Sequence, residues 1–244
     1  MKVLKGIARQ FGYELTPLKK KKALNAQLIA ILKHHRIDMV LDVGANVGQY
    51  GRKLRDWGYD GRIVSFEPLT GAHERLTEQA GSDPHWSIAP PMAIGAEDGE
   101  IDIQVSAETD MSSILPQNDL LKQISPSSAI QATERVDLRR LDSVVGDFVS
   151  EGDRVFLKID TQGFEPDVLK GASALVPELI GIQLEMSLLP LYKGAHDYRA
   201  MIEQLTTEGF EPHLILPGYF ERKLARQLEI DGVFIRSTEL DEAS

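Results

Sequence analysis

The chain contains no cysteine. That excludes a disulfide framework, and it excludes zinc or iron–sulfur centres held by thiolates. No unbroken run of 18 or more apolar residues is present, so no stable membrane insertion is expected. The first segment, MKVLKGIARQFGYELTPLKKKK, has basic residues but no apolar centre of the secretory-signal type. These absences give a cytoplasmic protein as the expectation. Basic charge is also scarce over most of the chain. Residues 1–38 carry nine Lys/Arg and two Asp/Glu, whereas the remainder carries 18 and 35, within a net charge of −10. An acidic body lacks the basic footprint that phosphate recognition needs, so nucleic acid is not an expected partner. The run Lys19–Lys22 is either a solvated helix start or a contact for an anionic membrane or substrate.

What is present fits an α/β domain. A length of 244 residues, with 42% hydrophobic residues, suffices for one sizeable core. Leu24, Leu28, Ile31 and Leu32 share one helical face, so residues 1–38 form a helical extension, a lid or a brace. Residues 39–244 form the main domain. Strands are expected at Met39–Val43, Arg62–Phe66, Trp86–Ala89, Arg154–Ile159, Leu179–Glu185, Pro212–Leu216 and Val233–Arg236. Helices are expected at about 47–57, 72–79, 141–149, 164–171 and 198–208. Alternation of this kind gives a mostly parallel sheet with helices on both faces and an antiparallel edge. Between Met92 and Ser106, the Asp98-Gly99 turn signal suggests a hairpin. Residues 107–135 read as a long irregular loop with a short strand at Arg135–Leu138.

The segment VLDVGANVGQYG, Val40–Gly51, is the most informative. A buried strand meets Asp42, then a Gly-x-x-x-Gly turn, then a helix. In such folds ligands sit at the C-terminal ends of strands. Gly44 and Gly48 lack a Cβ and let the backbone approach a ligand. Asn46 and Val47 offer further groups beside it. Asp42 either positions the turn or accepts from a cofactor amine. The next strand ends in SFEP, where the Glu67 carboxylate can accept from both hydroxyls of a ribose. An adenine would lie near Met92, Ala93 and Ile94. The GANVG spacing departs from the G-x-G-x-x-G of dinucleotide sites, with Asn46 in place of the second glycine. That favours S-adenosylmethionine over NAD.

The ordered segments VLDVGANVGQYG, SFEP, MAIG, EDGE, MSSIL, LDSVV, VFLKIDTQGFEPDVLKGA and IQLE resemble the FkbM family of S-adenosylmethionine-dependent methyltransferases over roughly residues 39–236. The resemblance implies a class I methyltransferase, Rossmann-like fold with a seven-stranded sheet whose last strand is antiparallel. It implies O-methylation, typically of sugars, glycolipids, polysaccharides or secondary metabolites. It also assigns Gly44, Asn46, Gly48 and Glu67 to the cofactor.

Asp160, Gln162 and Glu165 follow one strand end, and Glu185 ends the next strand. A hydroxyl acceptor needs a base as its oxygen attacks the methyl. Asp160 or Glu185 can take the proton. Alternatively, the two can hold a divalent cation such as magnesium that acidifies the hydroxyl. Glu165 shapes the site or complements a helix dipole, and His196 is a further candidate base. The expected partner is a small-molecule or glycan acceptor, and a homo-oligomer stays open. Three other functions compete: a non-catalytic S-adenosylmethionine-binding protein of the same fold, an NAD-dependent oxidoreductase, and an RNA methyltransferase of the same fold, against which the acidic body speaks.

Overall fold

The computed structural model describes residues 18–107, 111–125 and 128–238. The expected helical character of residues 1–17 lies outside them. In chain order the first elements are α1 (Leu18–His34), β1 (Met39–Val43), α2 (Gln49–Asp56), β2 (Arg62–Phe66), α3 (Thr70–Ala80) and β3 (Trp86–Ile88). There follow β4 (Ala93–Ile94), β5 (Gly99–Ser106), α4 (Asp119–Ile124), β6 (Ile130–Arg139), α5 (Leu141–Val144) and β7 (Val155–Ile159). The last are α6 (Glu165–Gly171), β8 (Gly181–Ser187), α7 (Tyr198–Thr207), β9 (Phe210–Pro217), β10 (Phe220–Glu221), β11 (Arg226–Gln227) and β12 (Glu229–Arg236). Among the described residues no helix is long and apolar enough to cross a membrane.

Seven strands form the main sheet in the order β3-β2-β1-β7-β8-β12-β9. The first five pair in parallel. Strand β12 runs antiparallel to both neighbours, β8 and β9. The antiparallel edge is therefore made by the last strand entering between β8 and β9. Strands β1 and β7 are buried along their whole length, as parallel strands covered on both faces must be. Their side chains alternate between two cores. Leu41, Val43, Leu157 and Ile159 join the larger core under α6 and α7. Val40 and Phe156 join the other, which Leu28, Ile29 and Leu32 of α1 and Leu54 of α2 complete. Helix α1 thus shares a core with the sheet.

Two expectations change. The Asp98-Gly99 turn does not close a hairpin, because β4 and β5 both pair with β6, one in parallel and one antiparallel. The Asp98 carboxylate instead accepts from the Arg140 backbone N–H and the Ser143 hydroxyl, tying the turn to the start of α5. Residues 107–135 are also not one loop. They contain α4, anchored through Leu121, and the first half of β6, whose polar, exposed residues hid its strand character.

Candidate active site

The β1–α2 turn takes its shape from three left-handed residues, Gly44, Asn46 and Gly48, with φ of 75°, 48° and 85°. Gly44 and Ala45 donate their N–H groups to the Phe66 carbonyl at 3.1 and 3.0 Å. Glu67, almost fully buried, accepts from the Asn46 N–H at 2.8 Å through one oxygen and from the Leu69 N–H at 3.0 Å through the other. Burial pushes its carboxyl up to about 7 against these two donors. The glycines serve packing as well as access. A Cβ on residue 44 would lie 1.9 Å from the Asp160 carbonyl oxygen. One on residue 48 would press on Leu76 and Trp86. Gly48 is thus a contact point between helix and sheet, and Val47 leans on the larger core.

A cavity with both polar and apolar walls opens above this turn. Gly44, Asn46, Glu67, Ala93 and Asp160 are among its walls, with Met92 and Ile94 giving an apolar slot. The Oδ1 atom of Asn46 is buried there without a partner among the described residues. Val47 and Gly48 stand behind the wall, and Asp42 does not reach the cavity. Register explains Asp42. It lies opposite Lys158 on β7, on the face shared by Val40 and Phe156. Its carboxylate receives the Lys158 ammonium at 3.0 Å and the Ser65 hydroxyl at 3.4 Å. Burial opposes the charge on Lys158, but Asp42 and Asp160 outweigh it and raise the pKa. Lys158 in turn donates to the Gly44 carbonyl at 3.3 Å. Asp42 thus reaches the glycine turn through Lys158.

A second cleft lies on the α1–α2 side of the same strand ends. Asp160, Glu185, Glu229 and Asp231 gather there with Lys158 and Tyr50. Gln162 is the partition. It borders both spaces, as do Asp160 and Gln49. Its backbone is held at φ 56°, and its carbonyl accepts from the Ser113 hydroxyl at 2.8 Å. Its amide nitrogen donates to Asp160 at 3.1 Å and to Glu185 at 2.8 Å. Tyr192 donates to the amide oxygen at 2.6 Å, which fixes the amide's orientation. On the far side, the Tyr50 hydroxyl donates to Gln183 at 2.8 Å. Burial raises Glu185 well above the carboxylate range, with Glu229, Asp160 and Asp231 adding repulsion. Burial likewise lifts Glu229 to about 8, again with neighbouring carboxylates contributing.

Three expected roles need correction. Glu165 is buried, and one oxygen accepts from the Thr161 N–H and hydroxyl and from the Gly163 N–H. It braces the 161–163 loop from behind and borders neither space. His196 is exposed, and it borders a separate surface cavity with Arg140, Lys170 and Arg236. The loop after β8 carries it away from the acidic cleft. A cation shared by Asp160 and Glu185 does not fit, because the Gln162 amide already bridges the two carboxylates with its own donors. Among the described residues no group of three or more His, Asp or Glu is arranged to hold a metal.

Several cleft residues escaped the sequence reading. Glu229 and Asp231 precede Val233, where the last strand was expected to start. Lys158 carried a signal, since strand alternation puts it beside Asp42. Tyr50 and Gln183 carried none.

The strand order, the glycine turn and the carboxylate after β2 define a class I methyltransferase fold. The model of the methyltransferase FkbM domain matches residues 42–212. The chain belongs to the FkbM family of methyltransferases. No curated protein matches it significantly. Among solved structures it is similar to magnesium protoporphyrin IX methyltransferase from Synechocystis, at 11% identity over 93% of this chain and 88% of that one, with a TM-score of 0.44. It is also similar to the fibrillarin pre-rRNA processing protein of Methanococcus jannaschii, at 10% identity over 83% and 67%, with a TM-score of 0.46.

Proposed function

We propose that the protein transfers a methyl group from S-adenosylmethionine to a hydroxyl of a sugar-like acceptor held in the acidic cleft. The observation that carries this reading is the shared wall: Asp160 and Gln162 border both the glycine-turn cavity and the cleft. A donor on one side and an acceptor on the other would meet at those two residues.

The cavity suits a nucleoside with an attached amino acid. Glu67 keeps lone pairs for ribose hydroxyls beyond its two backbone donors. The orphaned Oδ1 of Asn46 is an acceptor waiting for a donor, such as an ammonium. Met92, Ala93 and Ile94 give a base an apolar slot. When bound, S-adenosylmethionine supplies an electrophilic methyl on a cationic sulfur.

Carboxylates arrayed around a cleft accept hydrogen bonds from a polyol and can orient one of its oxygens. Glu185 is the preferred base, because its carboxylate stands in the cleft one hydrogen bond from the partition. Asp160, which borders both spaces, orients the same hydroxyl. Gln162 holds the two carboxylates in a fixed relation, so the attacking oxygen is prepositioned. A sugar in a glycolipid, polysaccharide or secondary metabolite meets these demands.

The test is incubation with S-adenosylmethionine labelled in its methyl group and fractionated glycans and glycolipids. The expected product carries label in an alkali-stable ether. Asp160→Asn should suppress labelling while S-adenosylmethionine affinity by calorimetry stays within about threefold. Alkali-labile label, or wild-type turnover by that variant, would count against the reading.

A further inference from the structure

The lip of the acidic cleft has the opposite character to its floor. Pro217 and Tyr219 border the cleft, and the chain then leaves the main sheet as the β10–β11 hairpin. Its base is fixed. Leu228 is fully buried and donates its N–H to the Tyr219 carbonyl, while Glu221 accepts from the Tyr219 hydroxyl and the Lys223 N–H. Its tip is bare. Residues 222–226, with the sequence RKLAR, are all exposed. Arg222, Lys223 and Arg226 join no ion pair among the described residues. Phe220 and Leu224 are 49% and 45% exposed, and Ile215 on the neighbouring edge strand is 45% exposed.

Helix α1 runs along the same side. Its end at His35 stacks edge-on against His213 near the start of β9, while Leu28 borders the cleft beside Pro217 at the end of β9. The helix therefore runs antiparallel to β9. Its start at Leu18 lies about 15 Å beyond Leu28, past the cleft, by the helical rise. The acidic cleft is thus flanked by a basic hairpin that carries bare apolar side chains, on a chain of net charge −10.

We propose that this rim docks the protein on an anionic lipid bilayer. Cations attract the anionic surface, and Phe220 and Leu224 enter the headgroup boundary. Docking would turn the mouth of the cleft toward the bilayer, so the acceptor it favours is a sugar carried on a lipid. That last step alone rests on the proposed function.

The experiment is co-sedimentation of the full chain with phosphatidylcholine vesicles, with and without phosphatidylglycerol, at low and high salt. Neither S-adenosylmethionine nor acceptor is present, so the result is independent of methyl transfer. The expected outcome is affinity at least about tenfold higher for the anionic vesicles, falling with salt. Arg222→Glu/Lys223→Glu/Arg226→Glu should remove that preference. Phe220→Ser/Leu224→Ser, at unchanged charge, should weaken binding about tenfold. These residues are exposed, and an unaltered melting temperature would show the variants fold. Equal binding to both vesicle types, hairpin variants that bind like wild type, or displacement from vesicles by an oligonucleotide would each overturn the proposal.

Discussion

The Tyr192 hydroxyl donates a 2.6 Å hydrogen bond to Oε1 of Gln162, and this contact decides which way the Gln162 amide faces. With the oxygen committed, the nitrogen must serve Asp160 and Glu185. Tyr192→Phe removes the donor and leaves a buried acceptor, at a cost of about 1–3 kcal/mol in stability. The larger effect should fall on turnover. Loosening two carboxylates beside the reacting oxygen should lower kcat about ten- to hundredfold. S-adenosylmethionine affinity should change less than about threefold, because Tyr192 does not border that cavity. Steady-state kinetics with calorimetry separates the two. Unchanged kcat would remove the amide clamp from the mechanism.

Gly44 and Gly58 have similar φ values of 75° and 85°, yet they should respond differently to alanine. At residue 44 the new Cβ would fall 1.9 Å from the Asp160 carbonyl oxygen, so β1 and β7 would have to part at the site itself. At residue 58 nothing lies within 4 Å. Gly44→Ala should therefore cost at least about 3 kcal/mol, from overpacking added to left-handed strain. Gly58→Ala should cost only the strain, about 1 kcal/mol. Chemical denaturation of both variants checks the difference. Equal midpoints would show that β7 gives way easily.

The parallel strands were the most legible part of the sequence. MVLDV and RIVSF are short apolar runs bounded by turn residues, and their observed limits are those expected. The glycine-turn cavity was legible because a tight turn needs glycine and its carboxylate partner follows on the next strand. The acidic cleft was not. Its walls come from β7, β8 and β12, distant in sequence and joined only by pairing register. Asp231 faces Glu185 because the antiparallel register sets them opposite, which no local pattern reveals. His196 misled for the complementary reason: its residue type suits a base, but chain direction after β8 takes it elsewhere.

Chelator and His196 test one question, which groups handle the proton. The Gln162 amide fills the role that a cation would take between Asp160 and Glu185. Turnover should therefore persist in excess EDTA within about twofold. His196→Ala should leave kcat and KM unaltered, since His196 opens onto a different surface. A loss of activity in EDTA that magnesium restores would return the metal to the site. A large fall in kcat for His196→Ala would return the histidine.

Burial of unpaired carboxylates should give the cofactor-free protein an unusual pH response. Glu67 titrates at about 7 and Glu229 at about 8 in the folded chain, against an ordinary 4.5. Between those limits the folded state holds protons that the unfolded state has released, so stability falls as pH rises. Their contribution is complete below about pH 4.5 and is lost through pH 7 and 8. Asp83 and Asp153, lowered chiefly by arginine and backbone hydrogen bonds that overcome their desolvation, act oppositely but only at more acidic pH. The melting temperature should therefore decline from pH 5 to 8.5, by at least about 2 °C. Glu229→Gln, which keeps the neutral form, should flatten the decline. S-adenosylmethionine should restore stability most at high pH, where ionised Glu67 can accept from ribose hydroxyls. A melting temperature that rises over this range would mean that the cleft carboxylates are ionised and solvated in the folded protein.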